Sequence, residues 1–276
     1  MSNSFNLEAV PASTRYNYQG RCWWCGDDAN SREHKWKKSE LNALYGGDIS
    51  KNYPLTWMDD AGNSKQVQGP NSVAVKFEAS LCQNCNNARS QPFDRAYDQW
   101  IGYVSENYDQ IIQRSYIDLR EIVDPAEVEG FRLGLARYFV KHVCCRVADK
   151  SAGKVPEKAL SFLNGETIDS TDFIFTELCL NEAALENQPH SRNMLGMSQT
   201  IGSYLEEGSA LLSLKGALIH RALQLVWDIN LDPNNESKGN GVLNTYVHPL
   251  RVVSSNLLEH RFIYPCGPND SLFTAY

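Results

Sequence analysis

The chain has 276 residues, 42% of them hydrophobic and 21% charged, which is enough apolar material for one large or two modest domains and excludes a disordered polypeptide. No run of about 18 apolar residues occurs and Met1–Glu8 has neither a basic nor an apolar leader region, so a cytoplasmic protein with no membrane partner is expected. The net charge of −7 argues against coating nucleic acid by bulk electrostatics, yet residues 1–100 are neutral, with 11 Lys/Arg against 11 Asp/Glu, so a polyanion would be met there.

In chain order, residues 1–20 read as an irregular lead-in. The first Cys-x-x-Cys knuckle, Cys22-Trp23-Trp24-Cys25, follows and is closed by Gly26-Asp27-Asp28. Ser39 to Tyr45 reads as a short helix capped by Ser39 and stopped by Gly46-Gly47. Residues 53–78 read as β structure: Tyr53–Met58, a turn at 59–63, Lys65–Gln68, and a strand over Ser72–Phe77 with Val73, Val75 and Phe77 on one face. That strand leads into the second knuckle, Cys82-Gln83-Asn84-Cys85. Helical spacing runs through 91–120, and Asp124-Pro125 predicts a helix start with Asp124 as N-cap, running to about Asp149. Pro156–Leu163 reads as a helix, Phe173–Leu180 as a strand, Glu186–Asn193 as a polar loop, Ala210–Asn230 as two strands, with a helix left open by its periodicity, and Asp232–Gly241 as a loop.

Two knuckles spaced Cys-x2-Cys-x56-Cys-x2-Cys offer four thiols in two tight turns, the donor set of a structural zinc ion. Cys22, Cys25, Cys82 and Cys85 are therefore the expected metal ligands. Cys144, Cys145, Cys179 and Cys266 have no partner spacing and read as packed free thiols. Between the knuckles lies Ser31-Arg32-Glu33-His34-Lys35, and directly after the second comes Asn86. A structural zinc site needs neither an acid-histidine step nor that amide.

Cys22-x-x-Cys25, Glu33-His34-Lys35, Cys82-x-x-Cys85-Asn86 and Ser90 together resemble the HNH endonucleases with a zinc frame, the ββα-metal or His-Me finger family. The resemblance covers residues 20 to about 95. It implies that zinc is structural, that Glu33 and the amide oxygen of Asn86 hold one divalent catalytic ion, Mg²⁺ or Mn²⁺, and that His34 is the general base. The chain departs from the family pattern in three ways: Glu stands where Asp is usual, the His34–Cys82 insertion is long, and Pro92 breaks a helix starting at Asn86. The helix is expected to restart with Ser90 as N-cap. Asp94 reads as a helix-terminal carboxylate or an extra acidic ligand. Arg32, Lys35, Lys37 and Lys38, with Trp36 among them, and Arg89 are the candidate phosphate contacts. His142, His190, His220, His248 and His260 read as structural.

The expectation is an α+β chain: a zinc-stapled ββα-metal nuclease module over residues 1–98, then a larger mixed domain over 99–276 for target selection, oligomerisation or sensing. The expected activity is metal-dependent endonucleolytic hydrolysis of DNA, as in restriction or anti-phage defence. RNA stays open as a substrate, and so does a protein partner or a second copy bound through the C-terminal domain. The alternative is a non-catalytic zinc module that binds nucleic acid or a protein.

Overall fold

The computed structural model describes residues 16–45, 56–58, 64–149, 153–186, 194–198, 200–204, 211–232, 241–253 and 260–263. Residues 1–15, Gly46-Gly47, the turn at 59–63, most of the 186–193 and 232–241 loops, His190 and Cys266 lie outside them.

Near the N-terminus, residues 30–35 run antiparallel to 75–81. Asn30 and Ser31 donate backbone N–H bonds to the Leu81 carbonyl (3.1 and 2.9 Å), Phe77 donates to Glu33 (2.9 Å) and Lys35 to Val75 (2.8 Å). This irregular ribbon has one knuckle before its first strand and one after its second, so both fall at the same end. Helix α1, Lys38–Tyr45, turns Leu41 and Tyr45 inward at the i, i+4 spacing. Strands β1 (Thr56–Met58) and β2 (Ser64–Gln66) pair antiparallel; β1 lies inside the expected run Tyr53–Met58, and β2 starts one residue before the expected Lys65–Gln68 and ends two residues short of its end.

The strand expected over Ser72–Phe77 is instead a single 3₁₀ turn at Val73–Val75 followed by a short bridge. Ser72 Oγ accepts the Ala74 N–H (3.3 Å), curling the chain so that Val73 is 63% exposed while Val75 and Phe77 are fully buried. The Cys85–Arg89 segment makes one wide π turn, and α2 (Gln91–Glu106) restarts beyond Ser90 with Pro92 in its first turn, where a missing N–H does no harm. Phe93, Ala96, Tyr97, Trp100, Ile101 and Val104 form its buried stripe.

The helix expected to continue to residue 120 ends sooner. After Asn107 comes α3 (Tyr108–Arg114), closed by Ser115 at φ 58°, and Tyr116–Asp118 is strand β3. Asp124-Pro125 forms a turn and not a helix start: Glu127 donates to the Asp124 carbonyl (2.8 Å), and α4 runs Val128–Asp149. This helix is buried along most of its length. It approaches α2 so closely that a Cβ on Gly134 would lie 3.0 Å from Ala96 Cβ, and Tyr138 stacks on Tyr97 at 4.0 Å between ring centroids.

Helix α5, Glu157–Asn164, ends in a left-handed Gly165, with Glu166 N–H bonding the Ser161 carbonyl and Gly165 N–H that of Phe162. Then come β4 (Ile174–Asn181), the short α6 (Glu182–Glu186), β5 (Leu195–Ser198), β6 (Ile201–Tyr204), β7 (Leu211–His220), β8 (Leu223–Asn230), β9 (Val247–Pro249), β10 (Arg251–Val253) and β11 (His260–Ile263). The seven-stranded sheet has the order β10-β4-β8-β7-β5-β11, with β6 sharing the β5 edge of β7; only β10 and β4 are parallel. β3 and β9 pair separately.

The architecture is therefore α+β. The 98/99 division falls inside α2, and one cluster of buried side chains runs from Cys22 to Leu250. Among the described residues, no helix is long and apolar enough to cross a membrane.

Candidate metal centre and the acid-histidine ribbon

Both knuckles close with the same backbone turn: Cys22 O accepts from Gly26 N–H (2.9 Å) and Cys82 O from Asn86 N–H (3.0 Å). Gly26 adopts φ +84°, a conformation that an L side chain would strain. The four Sγ atoms of Cys22, Cys25, Cys82 and Cys85 lie within 4.8 Å of one another, with Cys25 and Cys82 3.5 Å apart. A tetrahedral zinc with bonds of about 2.3 Å needs sulfurs roughly 3.8 Å apart. The cluster could therefore hold a metal ion such as zinc.

Its thiol chemistry agrees. Burial pushes Cys25 up to about 11 and Cys85 higher still, whereas for Cys82 the same burial is outweighed by the Cys85 N–H and the neighbouring thiols, which lower it. Four thiolates cannot coexist there without a compensating dication, and a metal would release the protons on binding. Arg89 lies over the Trp24 ring at 4.6 Å and reaches Asn164 Oδ1 (2.6 Å), which also accepts from Trp24 Nε1 (2.9 Å). The first knuckle is thus tied to the end of α5.

Glu33 and His34 leave the ribbon on opposite sides. His34 is half-buried, and its Nε2 lies 3.1 Å from the Pro70 carbonyl. Burial lowers its pKa, and nearby Lys76 lowers it further, so its imidazole is neutral near pH 7. Glu33 points inward, 8% exposed, and its Oε2 accepts from Lys141 Nζ at 2.7 Å. Lys141, from the middle of α4, has no exposed surface. It also reaches Ser90 Oγ (3.2 Å) and Asp94 Oδ1 (3.5 Å). Ser90 Oγ in turn lies 3.1 Å from the Asn86 carbonyl and 3.2 Å from Asp94 Oδ2. Asn86 Nδ2 donates to Ser31 Oγ (2.9 Å), while Asn86 Oδ1 is buried with no hydrogen-bond partner among the described residues.

A carboxylate and an unpaired amide oxygen are hard donors of the kind Mg²⁺ or Mn²⁺ takes, so the donor chemistry at Glu33 and Asn86 fits such an ion. The Lys141 ammonium is already on one of the Glu33 oxygens.

The basic cluster is largely spoken for. Arg32 pairs with Glu78 (3.0 Å), Lys37 with Asp98 (2.9 Å), and buried Lys35 reaches the Ala74 carbonyl (3.3 Å). Lys38 is exposed at the start of α1, and Trp36 is buried.

Reading the residues alone missed Lys141 and a second buried pair. In that pair, His220 Nδ1 lies 2.6 Å from Glu40 Oε1, and Tyr97 O–H donates to Glu40 Oε2 (3.0 Å). The signal for Lys141 was present: Lys141, His142 and Arg146 interrupt an apolar helical run, and charges there must find partners. No protein-family model, curated protein or solved structure matches this chain.

Proposed function

We propose that residues 20–95 form an HNH-type module that hydrolyses phosphodiester bonds in DNA, with His34 as general base and Glu33 and Asn86 as the residues that would hold a divalent ion. The observation that supports this reading is the ribbon stapled at one end by the four-cysteine cluster, with the acid and the histidine on opposite faces and α2 packed behind. A neutral imidazole held at Nε2 can take a proton from water, and the opposite face keeps the acid out of its way. When bound, the ion would polarise the phosphoryl group and stabilise the departing oxyanion. His34 is bonded in a way that fixes its ring plane, and Asn86 is anchored through Ser31 with its oxygen left over. Restriction or defence is the setting in which such an activity would serve.

A second reading, a non-catalytic zinc module, is favoured by one specific contact, the Lys141–Glu33 ion pair. Plasmid cleavage at millimolar Mg²⁺ or Mn²⁺, or in EDTA, comparing wild type with His34→Ala at equal zinc content, separates the two. Metal-dependent nicking that disappears in His34→Ala supports the hydrolase. No cleavage by either protein at any metal concentration supports the binding module, whereas equal cleavage by both removes His34 as the base and leaves the activity to another source. A parallel digestion of single-stranded RNA decides between the two polyanions.

A further inference from the structure

We infer that Lys141 is an internal competitor for the divalent ion, so that its ammonium sets how much metal the Glu33 site requires. The inference rests on the hydrolase reading for its biological consequence, but not for its physics. Lys141 has three N–H donors, and three acceptors surround it: Glu33 Oε2, Ser90 Oγ and Asp94 Oδ1. A second ammonium, Lys37, lies 3.6 Å from Asp94 Oδ1 and bonds Asp98 and the Asp94 carbonyl, each at 2.9 Å. The two inner carboxylates are therefore already balanced by cations from the protein itself.

An Mg²⁺ ion sits about 2.1 Å from its oxygen ligands. With the ammonium 2.7 Å from Glu33 Oε2, a metal on the same carboxylate would lie within a few ångströms of a like charge, in a place shielded from water. Metal and ammonium therefore compete, and Lys141 cannot simply swing into solvent because its whole side chain is enclosed between α4, the ribbon and α2.

The test is Mn²⁺ binding to the zinc-loaded full chain, followed by the loss of the free-ion electron paramagnetic resonance signal, for wild type, Lys141→Met, Lys141→Arg and Glu33→Gln. The expected result is weak binding by wild type and Lys141→Arg. Lys141→Met should bind one Mn²⁺ at least tenfold more tightly, and Glu33→Gln in that background should abolish the gain. If Lys141→Met does not fold, Lys141→Met/Asp94→Asn, which removes one charge of each sign, takes its place with the same expected gain. Wild type binding Mn²⁺ through Glu33 as tightly as the variant would overturn the inference, as would a folded variant with no gain. A variant that gains the ion but leaves DNA intact at every metal concentration keeps the inference and removes the hydrolase reading. Wild type that cleaves DNA at micromolar metal, dependent on Glu33, does the reverse.

Discussion

His142 illustrates how burial turns a side chain into a pH-dependent element of stability. It sits on α4, with Nε2 2.9 Å from the Lys35 carbonyl, and burial first, then the Lys141 and Arg146 charges, hold its pKa down to about 4. His248, with Nε2 3.0 Å from the Thr245 carbonyl, is lowered to about 4 mainly by burial. Both are bases that the folded state keeps neutral. As pH falls below the unfolded value of about 6.5, the unfolded chain takes up protons that the folded chain refuses, and the loss saturates near pH 4. Between pH 7 and pH 5 each should cost roughly 2 kcal/mol of stability. Urea melts across that range should show the decline, and His142→Gln should flatten it by about one proton; parallel slopes would refute the assignment. Metal loss from the thiols acts in the same direction but cancels in the difference between the two proteins. The residue types at this scale were legible in part. Glu33, His34 and Asn86 stood out as candidates by their place beside the knuckles, whereas Lys141 declared only that it needed an acid, without saying which.

Local pattern decided most elements, and hydrogen bonds from short side chains or turns decided the exceptions. The i, i+3, i+4 spacing of Phe93 to Val104 is a helix wherever it packs, whereas the apolar run over 210–230, whose periodicity left a helix open beside two strands, folds as the β7–β8 hairpin. Ser72 defeats the strand expected after it because its hydroxyl binds a backbone N–H two residues on. Asp124-Pro125 becomes a turn because the Glu127 N–H finds the Asp124 carbonyl first. Within the sheet, Gly216 on β7 faces Trp227 on β8, and a Cβ at 216 would fall 2.5 Å from the indole Cζ2. Gly216→Ala therefore has to displace a buried ring against a close-packed core. A loss of about 1–3 kcal/mol is expected, read as a lower denaturant midpoint at unchanged m-value. An unchanged midpoint would mean that the ring has room to turn. Trp227→Phe in the same background should recover part of the loss, since it removes the atom that clashes.

Across the molecule the four-cysteine cluster is not a detachable appendage. The knuckles join the core through Trp24 and Arg89 to Asn164, the ribbon through Glu33 to Lys141 and through the Glu78 N–H to Asp149 (2.8 Å), and α1 through Glu40 to His220. A structural zinc contributes on the order of 10 kcal/mol in small modules. Stripping it with a strong chelator should therefore lower one cooperative melting transition of the whole chain, and Cys85→Ser should do the same without chelator. Two separate transitions, with the C-terminal sheet unmoved, would show that the two parts fold independently. The four-cysteine cluster could be read from the chain alone, because two Cys-x-x-Cys turns carry their geometry locally and need only be brought together. The short acid-histidine motif was equally readable, and so was the α+β composition, since periodicity is a local property. Which carboxylate faces which cation was decided only in three dimensions. Glu33 and Lys141 are 108 residues apart, Glu40 and His220 are 180 apart, and such pairings depend on how α4 and the sheet close over the ribbon. A buried charge requires a partner by its desolvation cost, but only tertiary packing chooses that partner.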